Sequence, residues 1–359
     1  MFFFEKKNQK TFGLWGSLPA RHKLLNAGGV VGIVVALLLI GTRNWPAGAA
    51  HRLINVSYDP TRELYQAIDP LFVANYERAT GQRWAIIQSH GGSSRQAEKI
   101  IRGEQKADVV TLGLFSDVDS LRRHGLIAPG WQDRLPNHAQ PYSSTIVFVV
   151  RHGNPYRIKD WPDLLAPGLE IITPDPRTSG SGKLAALAAW AAITTRGGTE
   201  AQARTYLRTL YQHVPELDEA ARGAGTAFAA RGLGDVQLAW ENEARREVAE
   251  SKGRLQIIYP PVSILATPCV AWVDSEVSQD HTEAAAKAYL QFLFTDQAQA
   301  VIARQGYRPA TTAIAQQVGA AFPAITLVPI TQLARDWDDA NEKFFGAEGV
   351  IDLLLDHKT

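Results

Sequence analysis

Residues 84–101 read WAIIQSHGGSSRQAEKII, and the fold is decided there. WAIIQ is a short aromatic and β-branched run, which predicts a strand. It ends in Ser89-His90-Gly91-Gly92-Ser93-Ser94, six small or polar residues, and a helical pattern then runs over 94–103. A strand that gives way through small residues to a helix is the first half of a strand–helix–strand unit. A helix mouth also leaves several backbone N–H groups without an internal partner and carries about half a positive charge. Small residues at that mouth let an anion come close to the backbone.

The unit repeats in both directions. Upstream, Leu53 to Val56 reads as a strand. Asp59 then stands as an N-cap and Pro60 fits the first helical position. The helix extends to about Ala79, with Leu64, Ile68, Leu71, Phe72 and Tyr76 on one face. Downstream, ADVVTLG (107–113) is a third strand. STIVFVVRHGNP (144–155), LEIITPDP (169–176), GDVQLAW (234–240) and LATPCVAWVD (265–274) are further strands. Helices are expected over Lys183–Thr195 and 202–212, after Trp240 through Arg245 and Arg246, as one long element over 283–304, and near 338–346. Alternating strands and helices predict an α/β protein with a mostly parallel sheet. Ligands of such sheets bind beyond the C-terminal ends of the strands, where helices start.

A chain of 359 residues exceeds one ordinary core and suits two domains. The first 49 residues differ from the rest. Lys6, Lys7, Lys10, Arg21 and Lys23 precede a 14-residue apolar run, Ala27–Ile40, and an A-x-A site follows at Ala47-Gly48-Ala49. This is the layout of a secretory signal peptide. The run is shorter than the ~20 residues needed to span a bilayer. The basic segment before it is long, so residues 27–40 are either removed with the signal or kept as an anchor. In both cases the rest of the chain is exported.

Removing the six basic residues and one acid of that segment from totals of 37 and 36 leaves 31 and 35, a net charge of −4. Such a balance gives no reason for binding nucleic acid or an anionic membrane surface. Cys269 is the single cysteine, so no intrachain disulfide and no cysteine metal cluster can form. The nine histidines show no H-E-x-x-H or H-x-H spacing, and no cofactor motif appears.

Two more segments share the small-residue character of 89–94. They are Thr178-Ser179-Gly180-Ser181-Gly182-Lys183 and Ala221-Arg222-Gly223-Ala224-Gly225-Thr226. The first of these fails as a phosphate-binding P-loop, because Arg177 stands where the leading glycine belongs and Leu184 follows the lysine. No G-x-S-x-G elbow accompanies the HGG at 90–92. Glu241 and Glu243 read as solvated acids in the first turn of a helix, favoured there by its dipole. Trp240 ends an apolar strand where ligands bind. It reads either as a core aromatic or as a donor through its indole N–H, which cannot accept.

NVSYDPTRELY (55–65), QSHGGS (88–93), ADVVTLGL (107–114), STIVFVVRHGNP (144–155), ITPDPRTSG (172–180) and GDVQLAWENEA (234–244) together resemble the periplasmic sulfate-binding proteins of bacterial sulfate/thiosulfate importers. The likeness runs from about residue 52 past GYRP at 306–309. It implies a two-lobed, hinged α/β binding protein of type II, with the ligand in the cleft. One lobe would hold residues 50–142 and 263–359, the other 143–262. The resemblance assigns the ligand contacts to Ser93, Ser179, Gly180, Ser181, Ala221 and Trp240, with Asp59 and Arg222 behind them. It implies a monomer that needs no metal or cofactor and is not an enzyme. Such a protein collects sulfate or thiosulfate in the periplasm and hands it to an ABC importer permease in the inner membrane. The family pattern has glycine at the place of Ser181, and Ser-Gly-Ala-Arg where this chain reads Glu219-Ala220-Ala221-Arg222. Ser181 therefore either adds a donor or crowds the ligand. A membrane-tethered sensor of the same anion and a sulfate-ester hydrolase are the rival readings.

Overall fold

The structure is a computed structural model and describes residues 51–355. The expected signal segment, with its apolar run 27–40, lies outside the described residues. Among the described residues, no helix is long and apolar enough to cross a membrane.

The chain enters through β1 (His51–Tyr58), α1 (Arg62–Thr80), β2 (Trp84–Gly91), α2 (Ser93–Ile101), β3 (Val109–Leu112) and α3 (Phe115–Arg123). It then crosses into β4 (Ile146–Arg151), β5 (Ile171–Pro174), α4 (Gly180–Thr194), α5 (Glu200–Gln212) and β6 (Leu217–Asp218). The short α6 (Ala221–Gly225), β7 (Val236–Trp240), α7 (Glu241–Glu250) and β8 (Leu255–Ile258) complete that part. The chain returns with β9 (Cys269–Trp272), α8 (Glu283–Phe292) and α9 (Asp296–Arg304), and α10 (Val350–Leu355) closes it.

Two sheets result, in the orders β9–β3–β1–β2 and β6–β5–β7–β4–β8. Each is the centre of one lobe of a two-lobed α/β protein. In the first, β1 runs parallel to β2 and β3, and β9 is antiparallel to β3. The second departs further from the expected parallel sheet. Its long strand β4 runs antiparallel to both β7 and β8, while β5 is parallel to β6 and β7.

Every residue of β3 and β7 is buried, as expected of strands covered on both faces. Helix α4 is Ala-rich and buried on nearly all sides, which makes it an internal helix. Its Trp190 meets Phe344 edge-on at 5.0 Å, and Lys343 reaches Glu200 on α5 at 2.6 Å.

The single long helix expected over 283–304 is two helices, α8 and α9. Thr295 breaks it by accepting a hydrogen bond from the Ala298 N–H at 3.3 Å, with Asp296 in the new first turn. A Thr-Asp pair is a start signal, and here it overrides a continuous apolar period. The element expected near 338–346 is a short helix, Trp337–Ala340, running into one wide turn, Asn341–Phe345.

Candidate functional site

The strand ends and helix starts singled out above converge. Tyr58, Asp59, Pro60, Gly91, Gly92, Ser93, Ser179, Gly180, Ser181, Ala221 and Trp240 line one small cavity of about 10 Å3. That is far below the ~300–1,000 Å3 of a drug-sized ligand site, and it admits at most an ion of a few atoms. The first lobe supplies the ends of β1 and β2 and the start of α2. The second supplies the starts of α4 and α6 and the end of β7. Ser93, Ser179, Ser181 and Trp240 are all buried, so the cleft is shut.

Close approach of the lobes depends on glycine. A Cβ on Gly92 would lie 2.6 Å from the Thr178 carbonyl oxygen on the opposite lobe. Within the second lobe, a Cβ on Gly182 would lie 2.5 Å from the Pro174 carbonyl oxygen. Neither contact can be relieved by turning a side chain, because both partners are backbone.

The available donors can be traced one by one. Gly92 precedes α2 without any side-chain cap, so the first N–H groups of that helix face the cavity side uncapped. The Ser93 hydroxyl is already engaged. It donates to Asp117 Oδ2 at 2.5 Å and accepts from the Gly113 N–H at 3.0 Å. What Ser93 can offer a ligand is therefore its N–H. At α4, the Ser179 N–H is tied to the Asp175 carbonyl at 2.9 Å, and the Ser179 Oγ accepts from Gly182 at the long distance of 3.5 Å. Gly180 and Ser181 then present first-turn N–H groups. Ser181 Oγ is buried and has no partner among the described residues. At α6, Ala220 gives no side-chain cap, which leaves the Ala221 N–H uncapped. The next N–H, of Arg222, donates to Asp59 Oδ2 at 3.0 Å and so links the two lobes.

Trp240 is wholly buried, and its Nε1 has no partner among the described residues. Its ring lies 5.3 Å from that of Tyr58. It is a core aromatic by packing and an unspent donor by chemistry. Leaving a buried donor unpaired costs ~1–3 kcal/mol, so the position is explained only if something accepts from it.

Cations lie close by but not in the lining. The Arg222 guanidinium holds Glu63 through two bonds of 3.0 and 2.8 Å and stands 3.7 Å from Glu243. Burial alone would raise the Glu63 carboxyl; the hydrogen bonds from Arg222, a backbone hydrogen bond and the charges of Arg222 and Arg246 together outweigh it and hold the group below its usual range. Arg95 pairs with Glu219 across the cleft mouth. Lys183 turns away and lies 5.3 Å over the Phe345 ring. Asp59, the one charged residue in the lining, also receives Arg62 at 3.1 Å. His90, next to the lining, is held below its usual pKa, first by burial and then by the charge of Arg62.

Glu241 and Glu243 are not the solvated acids the sequence suggests. Both are buried. Glu241 takes two bonds from Arg308, at 2.7 and 3.1 Å, and Glu243 takes Arg246 at 3.1 Å. The helix that carries them starts at the floor of the cleft, where the returning chain covers it. Among the described residues, no group of three or more His, Cys, Asp or Glu stands close enough to hold a metal ion. Burial pushes the Cys269 thiol up to about 12, so it is a packing residue.

Sequence reasoning missed Tyr58 and Pro60 in the lining, Glu63 as the partner of Arg222, and Asp117 behind Ser93. Tyr58 and Pro60 flank Asp59 and were legible by adjacency. Asp117 sits in the first turn of α3, where an acid needs no further explanation.

Two α/β lobes that close on a small cavity lined by backbone donors define a solute-binding protein. The chain belongs to the bacterial extracellular solute-binding protein family, which it matches over residues 61–308. It is 43% identical over 305 residues to the sulfate-binding protein of Salmonella typhimurium, covering 84% of this chain and 92% of that one. It is 39% identical over 328 residues to the thiosulfate-binding protein of Escherichia coli, covering 90% and 95%. Among solved structures, the sulfate-binding protein SubI from Mycobacterium tuberculosis superposes with a TM-score of 0.75 at 31% identity, over 82% of this chain and 99% of that one.

Proposed function

We propose that this chain binds sulfate or thiosulfate in the cleft and delivers it to an ABC importer in the inner membrane. The observation that carries the reading is the buried indole N–H of Trp240, unpartnered in a cavity where three helix starts converge, two of them without a side-chain cap. Sulfate at neutral pH is a dianion with acceptors only, and N–H groups are donors only. Hydrogenphosphate brings a proton that would face another donor, at a cost of ~1–3 kcal/mol or more. Ser93, Gly180, Ser181 and Ala221 supply backbone donors, Trp240 its indole, and Ser179 and Ser181 their hydroxyls. Asp59 and Arg222 brace the lobes from behind.

The lobes divide into residues 50–142 with 263–359 and residues 143–262. The end of the chain, through Phe344 and Lys343, rests on the second lobe. The protein works in the periplasm as a monomer, with residues 27–40 either removed on export or retained as a tether. It performs no hydrolysis.

Calorimetry of the 50–359 fragment with sulfate, thiosulfate, phosphate and molybdate tests the reading. One-to-one binding of sulfate or thiosulfate with rejection of phosphate is expected, and equal affinity for phosphate would overturn the donor argument. N-terminal sequencing of the exported protein separates the free form from the tethered one. Release of product from a chromogenic sulfate ester would mark an enzyme instead.

A further inference from the structure

We propose that Asp117 is a specificity-determining residue of this site, acting through the hydroxyls of Ser93 and Ser94. The inference rests on the reading of the cleft as an oxyanion site. Asp117 lies in the first turn of α3, is buried, and does not line the cavity. Its two carboxylate oxygens are divided between the first two residues of α2. Oδ2 accepts from Ser93 Oγ at 2.5 Å, and Oδ1 accepts from Ser94 Oγ at 2.9 Å. The Gly113 N–H, from the turn before α3, donates to Ser93 Oγ at 3.0 Å.

This arrangement settles what Ser93 can do. A serine hydroxyl has one proton to give and two lone pairs to offer. A free hydroxyl in the lining would turn to suit its ligand: it would donate to a bare oxyanion and accept from a protonated one. Such a group adapts to hydrogenphosphate as readily as to sulfate; Ser181 Oγ, unpartnered among the described residues, is one such group in the lining, and a second at Ser93 would relax the selection further. Here the proton is taken by Asp117 and a lone pair by Gly113, so the hydroxyl is fixed against α3. The Ser93 hydroxyl then has no proton to give a ligand and cannot turn, so the donors that the start of α2 offers the cavity are N–H groups. A carboxylate placed behind an anion site is unfavourable by charge alone. Its presence is accounted for by the two hydroxyls it holds, since a carboxylate offers a separate acceptor oxygen to each at once.

The test compares the parent, Asp117→Asn, Ser93→Ala and the Ser93→Ala/Asp117→Asn double variant. Each is titrated with sulfate and with inorganic phosphate at neutral pH, and the unfolding temperature is measured without ligand. Asparagine has one acceptor oxygen for two hydroxyls, so one is released. Asp117→Asn is expected to weaken sulfate about tenfold and to lower the ratio of sulfate to phosphate affinity by more than that. Adding Ser93→Ala removes the released hydroxyl and should return the ratio toward the parent value, an effect that a general loss of stability does not produce. An unchanged ratio in folded Asp117→Asn, or tighter sulfate binding from loss of the charge, would overturn the proposal. If Asp117→Asn does not fold, Ser93→Ala decides alone. A change in sulfate affinity under threefold fits a locked hydroxyl, and a loss beyond tenfold means that the hydroxyl reaches the ligand and the proposal is wrong. A parent chain that binds neither sulfate nor thiosulfate would instead sink the functional reading itself.

Discussion

The lining of the cleft offers uncapped N–H groups and the Trp240 indole, and no Lys or Arg is among its residues. Beyond it, Arg222 holds Glu63 and Arg95 holds Glu219, each from one lobe to the other. The contrast separates two jobs. Neutral donors face the space where an anion would sit, and full charges pair with each other to bridge the lobes. A cation in the lining would attract any anion, with little regard for its protonation state. Donors fixed in the backbone read whether the ligand is all acceptor. Arg95–Glu219 is largely exposed and Arg222–Glu63 about a third exposed, so water screens both pairs in part, which helps the lobes to part again.

The difference can be attacked at its strongest point first. Gly92→Ala places a methyl group 2.6 Å from the Thr178 carbonyl oxygen. Overpacking of this kind costs ~1–3 kcal/mol and occasionally more, and here it falls wholly on the closed form. Sulfate affinity should drop on the order of 100-fold in a calorimetric titration. Fold stability should be little affected, because the open lobes do not meet there. A folded Gly92→Ala protein with parental affinity would mean that the lobes do not close as described.

Trp240→Phe comes next. It keeps most of the ring and removes a buried indole donor that has no partner among the described residues. A hydrogen bond to a charged group contributes ~1.5–3 kcal/mol, so affinity should fall roughly 10- to 100-fold. Intrinsic fluorescence should also stop responding to ligand. Unchanged binding in this variant would reduce Trp240 to core packing.

Glu63→Gln tests the rim. It breaks the paired bonds to Arg222 while leaving the Arg222 N–H on Asp59 intact. Both side chains are about a third exposed, so the loss should be ~1 kcal/mol or less, about fivefold in affinity. It should shrink further at high ionic strength. A loss as large as that of Trp240→Phe would move the rim into the recognition chemistry. Lys183→Ala should do least. Its ammonium lies against Phe345, away from the cleft, and sulfate titrations at two ionic strengths should agree with the parent within twofold. A steep, salt-dependent loss would mean that a cationic field, and not the donor lining, holds the ligand.

Much of this was legible in the chain itself. Three small-residue turns, each between a strand and a helix, pointed to a ligand site at one edge of an open α/β sheet; it was the resemblance that named Ser93, Gly180 and Ala221 within them. Trp240 was marked by its place at the end of VQLAW. Other features were not legible. Nothing in GDVQLAWENEA distinguishes a solvated Glu241 from one buried against Arg308, since that arginine arrives 67 residues later. The break at Thr295 was written in a Thr-Asp signal but masked by the apolar period around it.

The sequence by itself determined the alternation of strands and helices, the placing of glycine where backbones must touch, and an inventory rich in donors at helix starts. These follow from local rules, which act within a turn or two of chain. Tertiary structure alone decided which donors remain free. Ser93 lost its hydroxyl to Asp117, and Arg222 turned its side chain to Glu63 while its N–H went to Asp59. A hydrogen bond is satisfied by whichever group folding brings within reach, and for Arg222 that group lies on the other lobe.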